Sequence, residues 1–175
     1  MAKTVFGEEL FFRLKNQRLS VVPKKALTDE IRRDFERSMQ NFREGLMDSA
    51  VGPIRNYVAR YVVDRRTSVV ARGNALTPVA SARVLKLVIY PLREPHGTPV
   101  KEVFADDDWL DVELAGHQPG KTSVVVAVYP DCYDAFRELK KRLYERGFAT
   151  AGHPLPSDYP IYVSFDGSGT AAAVQ

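Results

Sequence analysis

Residues 115–122, AGHQPGKT, carry the residue types of a phosphate-binding loop, with Ala115 in the place of the first glycine, followed by Gly120, Lys121 and Thr122. In a working loop the backbone amides wrap the phosphates, the lysine reaches the terminal phosphates and the hydroxyl binds Mg2+. That chemistry requires a helix to begin at the lysine. Here Lys121 and Thr122 open the run SVVVAV, whose β-branched residues favour an extended chain. The segment is therefore expected to be a turn entering a strand.

Other residue types capable of chemistry lie nearby or in loops. Asp106, Asp107, Asp108, Asp111 and Glu113 form an acidic cluster. Paired carboxylates can hold Mg2+ or move protons, but this run lacks the glycine and glutamate register of a calcium loop. It reads as a solvated loop or helix start, with a metal-dependent enzyme as the alternative; a pocket joining Asp108, Asp111 and His117 would be its sign. His96, His117 and His153 are far apart and have no metal-ligand spacing. Cys132 is the only cysteine. It lies near a helix start, where a thiolate is favoured, but also on an apolar stripe, which makes it a buried structural thiol. No catalytic set emerges, no cofactor is expected, and the chain leans away from being an enzyme.

A mixed cationic and aromatic group is the remaining candidate. Tyr57, Arg60, Tyr61, Arg65, Arg66, Arg72 and Arg83 are expected to line one sheet face. Arginine with aromatic residues can contact phosphates and stack on bases, or anchor a protein partner. No helix-turn-helix, zinc finger or RNA-binding motif accompanies it.

The elements that must position these residues follow from periodicity. FFRLK and RLSVV, around Asn16-Gln17, read as a hairpin. Thr28 reads as the cap of a helix over 28–47, with Ile31, Phe35, Met39, Phe42 and Leu46 as its apolar stripe and Gly52-Pro53 closing the segment. Residues 57–70 read as one bent strand or two, and 83–90 as a strand antiparallel to it, with Gly73, Asn74 and Pro78 in the loop between. Residues 100–116 are open between helix and strand. Residues 122–129 are the clearest strand. A helix over 131–146 follows, capped by Asp131, striped by Cys132, Phe136, Leu139 and Leu143, and ended by Gly147; a further extended piece starts at Phe148. The fold class is α+β: a mainly antiparallel, twisted sheet covered by two main helices. Helices and strands do not alternate regularly enough for a doubly wound parallel sheet.

The chain has 175 residues, 45% apolar and 27% charged, enough to build a core without staples. A single domain is expected over 1–165, with a flexible tail over 166–175. A lone cysteine excludes a disulfide framework and a cysteine-rich zinc site. No apolar run approaches the roughly 18–20 residues of a membrane span. MAKTVFGEEL shows no secretory leader, so the cytoplasm is the expected compartment. Residues 1–93 hold 18 Lys/Arg against 9 Asp/Glu (net +9), and 94–175 hold 7 against 13 (net −6).

The segment VYPDCYDAFRELKKRLYERGF, then HPLPSDYPI, resembles a C-terminal region of a family of uncharacterised bacterial proteins, and FFRLKNQRLSVVP and VGPIRNY look similar too. The resemblance implies a recurrent strand–helix–strand unit and carries no activity. Tyr159 and Tyr162 depart from the pattern, where smaller residues are expected, implying a locally altered surface. With Tyr129, Tyr133, Tyr144, Tyr159 and Tyr162 as further surface aromatics, the leading expectation is a non-enzymatic interaction or scaffold domain with an unidentified protein partner. Nucleic-acid binding through the basic N-terminal half is the second expectation.

Overall fold

The computed structural model describes residues 8–39, 43–72, 75–106 and 108–163. In chain order its elements are β1 (Glu8–Lys15), β2 (Arg18–Val22), α1 (Lys24–Met39), β3 (Gly45–Ile54), β4 (Tyr57–Arg72), β5 (Ala75–Pro91) and β6 (Thr98–Pro99). They continue with α2 (Val100–Ala105), α3 (Asp108–Leu114), β7 (Thr122–Val128), α4 (Tyr133–Glu145), β8 (Ala149–Pro154) and β9 (Ile161–Tyr162). The fold is α+β, as expected, but with two sheets in two compact units. One unit holds residues 8–24 and 93–159, the other 25–92 and 160–163. The expected tail over 166–175, with Phe42, Gly73, Asn74 and Asp107, lies outside the described residues.

The first unit is a sheet of order β6-β2-β1-β7-β8. The hairpin β1–β2 turns at Asn16 and Gln17, with φ of 53° and 54°, as a two-residue primed turn requires. β7 runs parallel to both β1 and β8, so this sheet is mixed. Alternation puts Leu10, Phe12 and Leu14 of β1 and Val124, Val126 and Val128 of β7 into one buried core with Leu110, Leu139 and Leu143. The stretch left open between helix and strand holds the two short helices α2, over Val100–Ala105, and α3, over Asp108–Leu114.

The expected cap at Asp131 is displaced. A short 3-10 turn over Pro130–Cys132 precedes α4, whose cap position falls on Cys132 with no side-chain cap bond. The other end of α4 follows expectation. Gly147 takes φ of 80°, and the amides of Gly147 and Phe148 donate to the carbonyls of Tyr144 (2.9 Å) and Leu143 (3.0 Å). These bonds satisfy carbonyls that the helix leaves free.

The second unit is an antiparallel sheet of order β3-β4-β5-β9. Its helix departs from the expected 28–47. α1 starts directly after Pro23, and Thr28 lies inside it. Asp29 is not a first-turn charge: it pairs with Lys25 one turn earlier, at 3.0 Å. The apolar stripe does not persist to Leu46, because Gly45, at φ of 117°, opens β3. Gly52 and Pro53 sit at an irregularity within β3, and Pro78 is inside β5 rather than in a loop. β4 is one strand, with a register shift between Val62 and Val63.

α1 is fastened over one face of this sheet by polar bonds. The Asp34 carboxylate accepts from the Tyr61 hydroxyl and, at 3.0 Å, from Ser49. Arg65 donates to the Ser38 hydroxyl. Burial, followed by the bond to Asp34, pushes the Tyr61 hydroxyl up to about 12 from 10.0. The folded state thus holds this proton more tightly than the unfolded chain. The contribution is complete below pH 10 and is lost as pH rises towards 12.

Two predictions follow from this architecture. Tyr61→Phe lowers stability by about 1–2 kcal/mol at neutral pH, because Asp34 loses a donor, and it flattens the alkaline loss of stability; urea titrations at pH 8 and pH 11 check both. A single domain over 1–165 predicts one calorimetric transition, and two resolved transitions overturn it.

Candidate interaction surface

Strand alternation distributes the cationic and aromatic group. In β4, Tyr57, Ala59, Tyr61, Val63 and Arg65 are all buried, because odd-numbered residues share one face, to which α1 is tied at Tyr61 and Arg65. Arg60 and Arg66 fall on the even-numbered face. The single face expected for the group is therefore split in two, and Tyr57, Tyr61 and Arg65 present no stacking or phosphate-binding surface. Arg60 pairs with Asp48 at 2.6 Å and Arg66 with Asp64 at 2.7 Å. Arg83 is exposed, in register with Asp64. Arg72 closes β4.

β4 and β5 continue well past their neighbours. β3 begins at Gly45, opposite Arg65, and β9 meets β5 only at Val88 and Ile89. From 66 to 72 and from 75 to 83 the two strands pair only with each other among the described residues. The odd-numbered face that is buried as far as Arg65 continues along this ribbon without cover among the described residues. Thr67, Val69 and Ala71 stand on it opposite Ala80, Pro78 and Leu76. Val69 is 64% exposed and Leu76 76%. An exposed apolar strip on a two-stranded ribbon is unusual, since such ribbons are marginal in water by themselves.

The two edges of the ribbon differ. Antiparallel pairs alternate between bonded and non-bonded, so every second residue turns its amide and carbonyl outward. Pro78, opposite Val69, has no amide to donate. On the other edge the Thr67 amide donates to the Glu44 carboxylate at 2.8 Å. Hydrogen bonds from Thr67 hold the Glu44 carboxyl below its usual range. Thr67, Val69 and Ala71 are thus the outward-turned positions of β4. Glu44 occupies the first, and Val69 and Ala71 face solvent. The sequence pattern marks strands over 57–70 and 83–90 but puts Pro78 in a loop, and so misses the ribbon half of β5 with Leu76 and Pro78, and Glu44 and Val69 as surface residues. The available signal was Pro78, which in a strand marks an edge.

The remaining chemical candidates are separated or internally bonded. Lys121 ends a turn, with its amide and that of Thr122 donating to the Gln118 carbonyl at 3.1 and 2.9 Å. β7 then begins at Thr122, so a strand and not a helix follows Lys121. An open groove of about 280 Å3 at the end of α3 is lined by Asp111, His117 and Arg146 among others. Asp111 accepts from Arg146 at 2.8 Å and His117 bonds Glu8 at 3.0 Å. Asp108 does not line this groove. Among the described residues no three His, Cys, Asp or Glu side chains gather as metal ligands. His96 is depressed by burial and then by Arg13, and His153 lies exposed on β8.

Tyr129, expected at the surface, is buried. Lys15 and Arg13 lie 4.7 and 5.4 Å from its ring centre, and its hydroxyl donates to the Tyr159 carbonyl at 2.6 Å. Arg13, itself buried, also bonds Glu94. Tyr133, Tyr144, Tyr159 and Tyr162 are exposed. No helix among the described residues is long and apolar enough to cross a membrane.

Cys132 is fully buried. Burial pushes its thiol up to about 12 from 9.0, against the Gln17 amide that donates to the sulfur at 3.3 Å. At pH 8 the thiolate population falls roughly a thousandfold. Alkylation in native buffer is expected to be slower than in denaturant by a similar factor; equal rates by mass spectrometry contradict a buried thiol. Comparison with protein-family models, with curated proteins and with solved structures found no match.

Proposed function

We propose that the chain is a non-enzymatic protein-interaction module whose contact element is the β4–β5 ribbon. One observation carries this reading: the apolar strip of Val69, Ala71, Leu76 and Pro78 continues a buried sheet face into solvent. Burying that strip against a partner removes apolar area from water and stiffens an otherwise marginal ribbon.

Nucleic-acid binding is the second reading. Residues 25–92 and 160–175 together hold 12 Lys/Arg against 8 Asp/Glu (net +4), whereas the rest of the chain holds 13 against 14 (net −1). The positive excess thus belongs to the unit that bears the ribbon. An apolar strip favours a protein over phosphates, which places this reading behind the first.

Leu76→Asp tests the choice. Its side chain is already solvent-exposed, so folding is expected to change by less than about 0.5 kcal/mol. Affinity capture with wild-type protein should retain specific partners that Leu76→Asp loses and Tyr144→Asp, on α4, keeps. Identical capture by wild type and Leu76→Asp removes the ribbon from the interaction. Loss of affinity for duplex DNA with rising salt, steep and dependent on Arg66 and Arg83, would favour the second reading.

A further inference from the structure

We propose that the outer edge of β4, at residues 67–71, accepts an extended strand from another polypeptide, and that this strand bears carboxylates on both sides of a short apolar centre. The inference rests on the ribbon being the contact element and names what the ribbon takes.

The choice of edge follows from the backbone. The β5 edge offers no amide at Pro78, so a strand laid along it loses a ladder bond at the middle of the ribbon. The β4 edge has outward amides at Val69 and Ala71 and no proline. It has no strand neighbour beyond Arg65 among the described residues. An added strand would extend the line of β3 and bond the positions past Glu44.

The chemistry of the occupant follows from charge. Arg66 and Arg72 bracket the uncharged run 67–71, and residues 64–83 hold four arginines against one acid, Asp64 (net +3). Glu44 already shows that a carboxylate is accepted at this edge, since it takes the Thr67 amide. The pair between Arg66 and Asp64 is no obstacle. The Arg66 side chain is 77% exposed, and such a pair is readily exchanged for another carboxylate.

The same charges argue against a second copy of this chain. Two β4 edges paired antiparallel about Val69 place Arg66 opposite Arg72 at both ends, and like charges directly opposite destabilise a ladder. A nucleic acid would use the arginines but leave Val69 and Ala71 amides without ladder partners.

The test uses the full chain and synthetic probes. One labelled peptide has seven residues, alternating valine and threonine between terminal aspartates. Its counterpart carries terminal lysines, and a mixed-sequence DNA duplex is the third probe. The key variant is Val69→Pro, which removes one outward amide while a proline already stands directly opposite. Circular dichroism and thermal melting check that it folds, and Ala71→Pro is the substitute if it does not. Fluorescence anisotropy is expected to show the aspartate peptide binding at least about tenfold tighter than the lysine peptide. Val69→Pro should abolish that binding, and Arg66→Glu, which leaves Arg72 as the one bracketing cation, should remove most of the preference.

Equal binding of both peptides, no binding of either, or binding unaffected by Val69→Pro overturns the proposal. So does tighter binding of the duplex, or a concentration-dependent dimer in ultracentrifugation that Val69→Pro dissociates. If Leu76→Asp loses captured partners while Val69→Pro keeps them, the ribbon binds by its face rather than its edge. The interaction reading then stands and the edge inference falls.

Discussion

Backbone pairing along β4 is the constraint on which the second unit depends. The strand joins β3 on one side and β5 on the other, and its alternation decides which side chains are buried and which can reach α1. Tyr61 and Arg65 lie on the covered face and hold the helix through Asp34 and Ser38. The last described polar tie is at Arg65, level with the start of β3. Cover and lateral pairing therefore end at the same point on the strand, and the ribbon beyond inherits an apolar face with nothing upon it among the described residues.

Arg65 shows the cost of that arrangement. It is 4% exposed, and its Nε has no hydrogen-bond partner among the described residues. A buried guanidinium is expensive unless its donors are satisfied. Retaining it at the boundary between covered and uncovered sheet ties the helix end to the strand through the Ser38 hydroxyl. An apolar residue there would pack as well but would not fix where the helix stops. In the first unit Arg13 has the opposite circumstance, with the Glu94 carboxylate and the Tyr129 ring beside it.

Much of the fold was legible because local and tertiary preferences agreed. The hairpin turn at Asn16-Gln17, the strand after Lys121 and the end of α4 at Gly147 are each set by residues within a few positions. The start of α1 was not, because Thr28, Asp29 and Glu30 imitate a capped first turn while the helix already begins at Lys24. Leu46 continued a helical spacing by coincidence, and Gly45 broke it. The candidate surface was half legible. The arginines beside it were named, whereas Val69, Leu76 and Pro78 were not, and the two-residue period, which separates Tyr57, Tyr61 and Arg65 from Arg60 and Arg66 by parity alone, was not applied. What no local pattern held was the relative length of the strands, since a ribbon is exposed only because β3 and β9 stop short.

Pro78 has a consequence for how many chains can assemble on this element. A ribbon with two open rails is bivalent: each added strand exposes a fresh rail, and growth continues into a fibre. With one rail closed by an imide nitrogen, the ribbon is monovalent from its own side. Propagation then depends wholly on whether the incoming strand's far rail is closed as well.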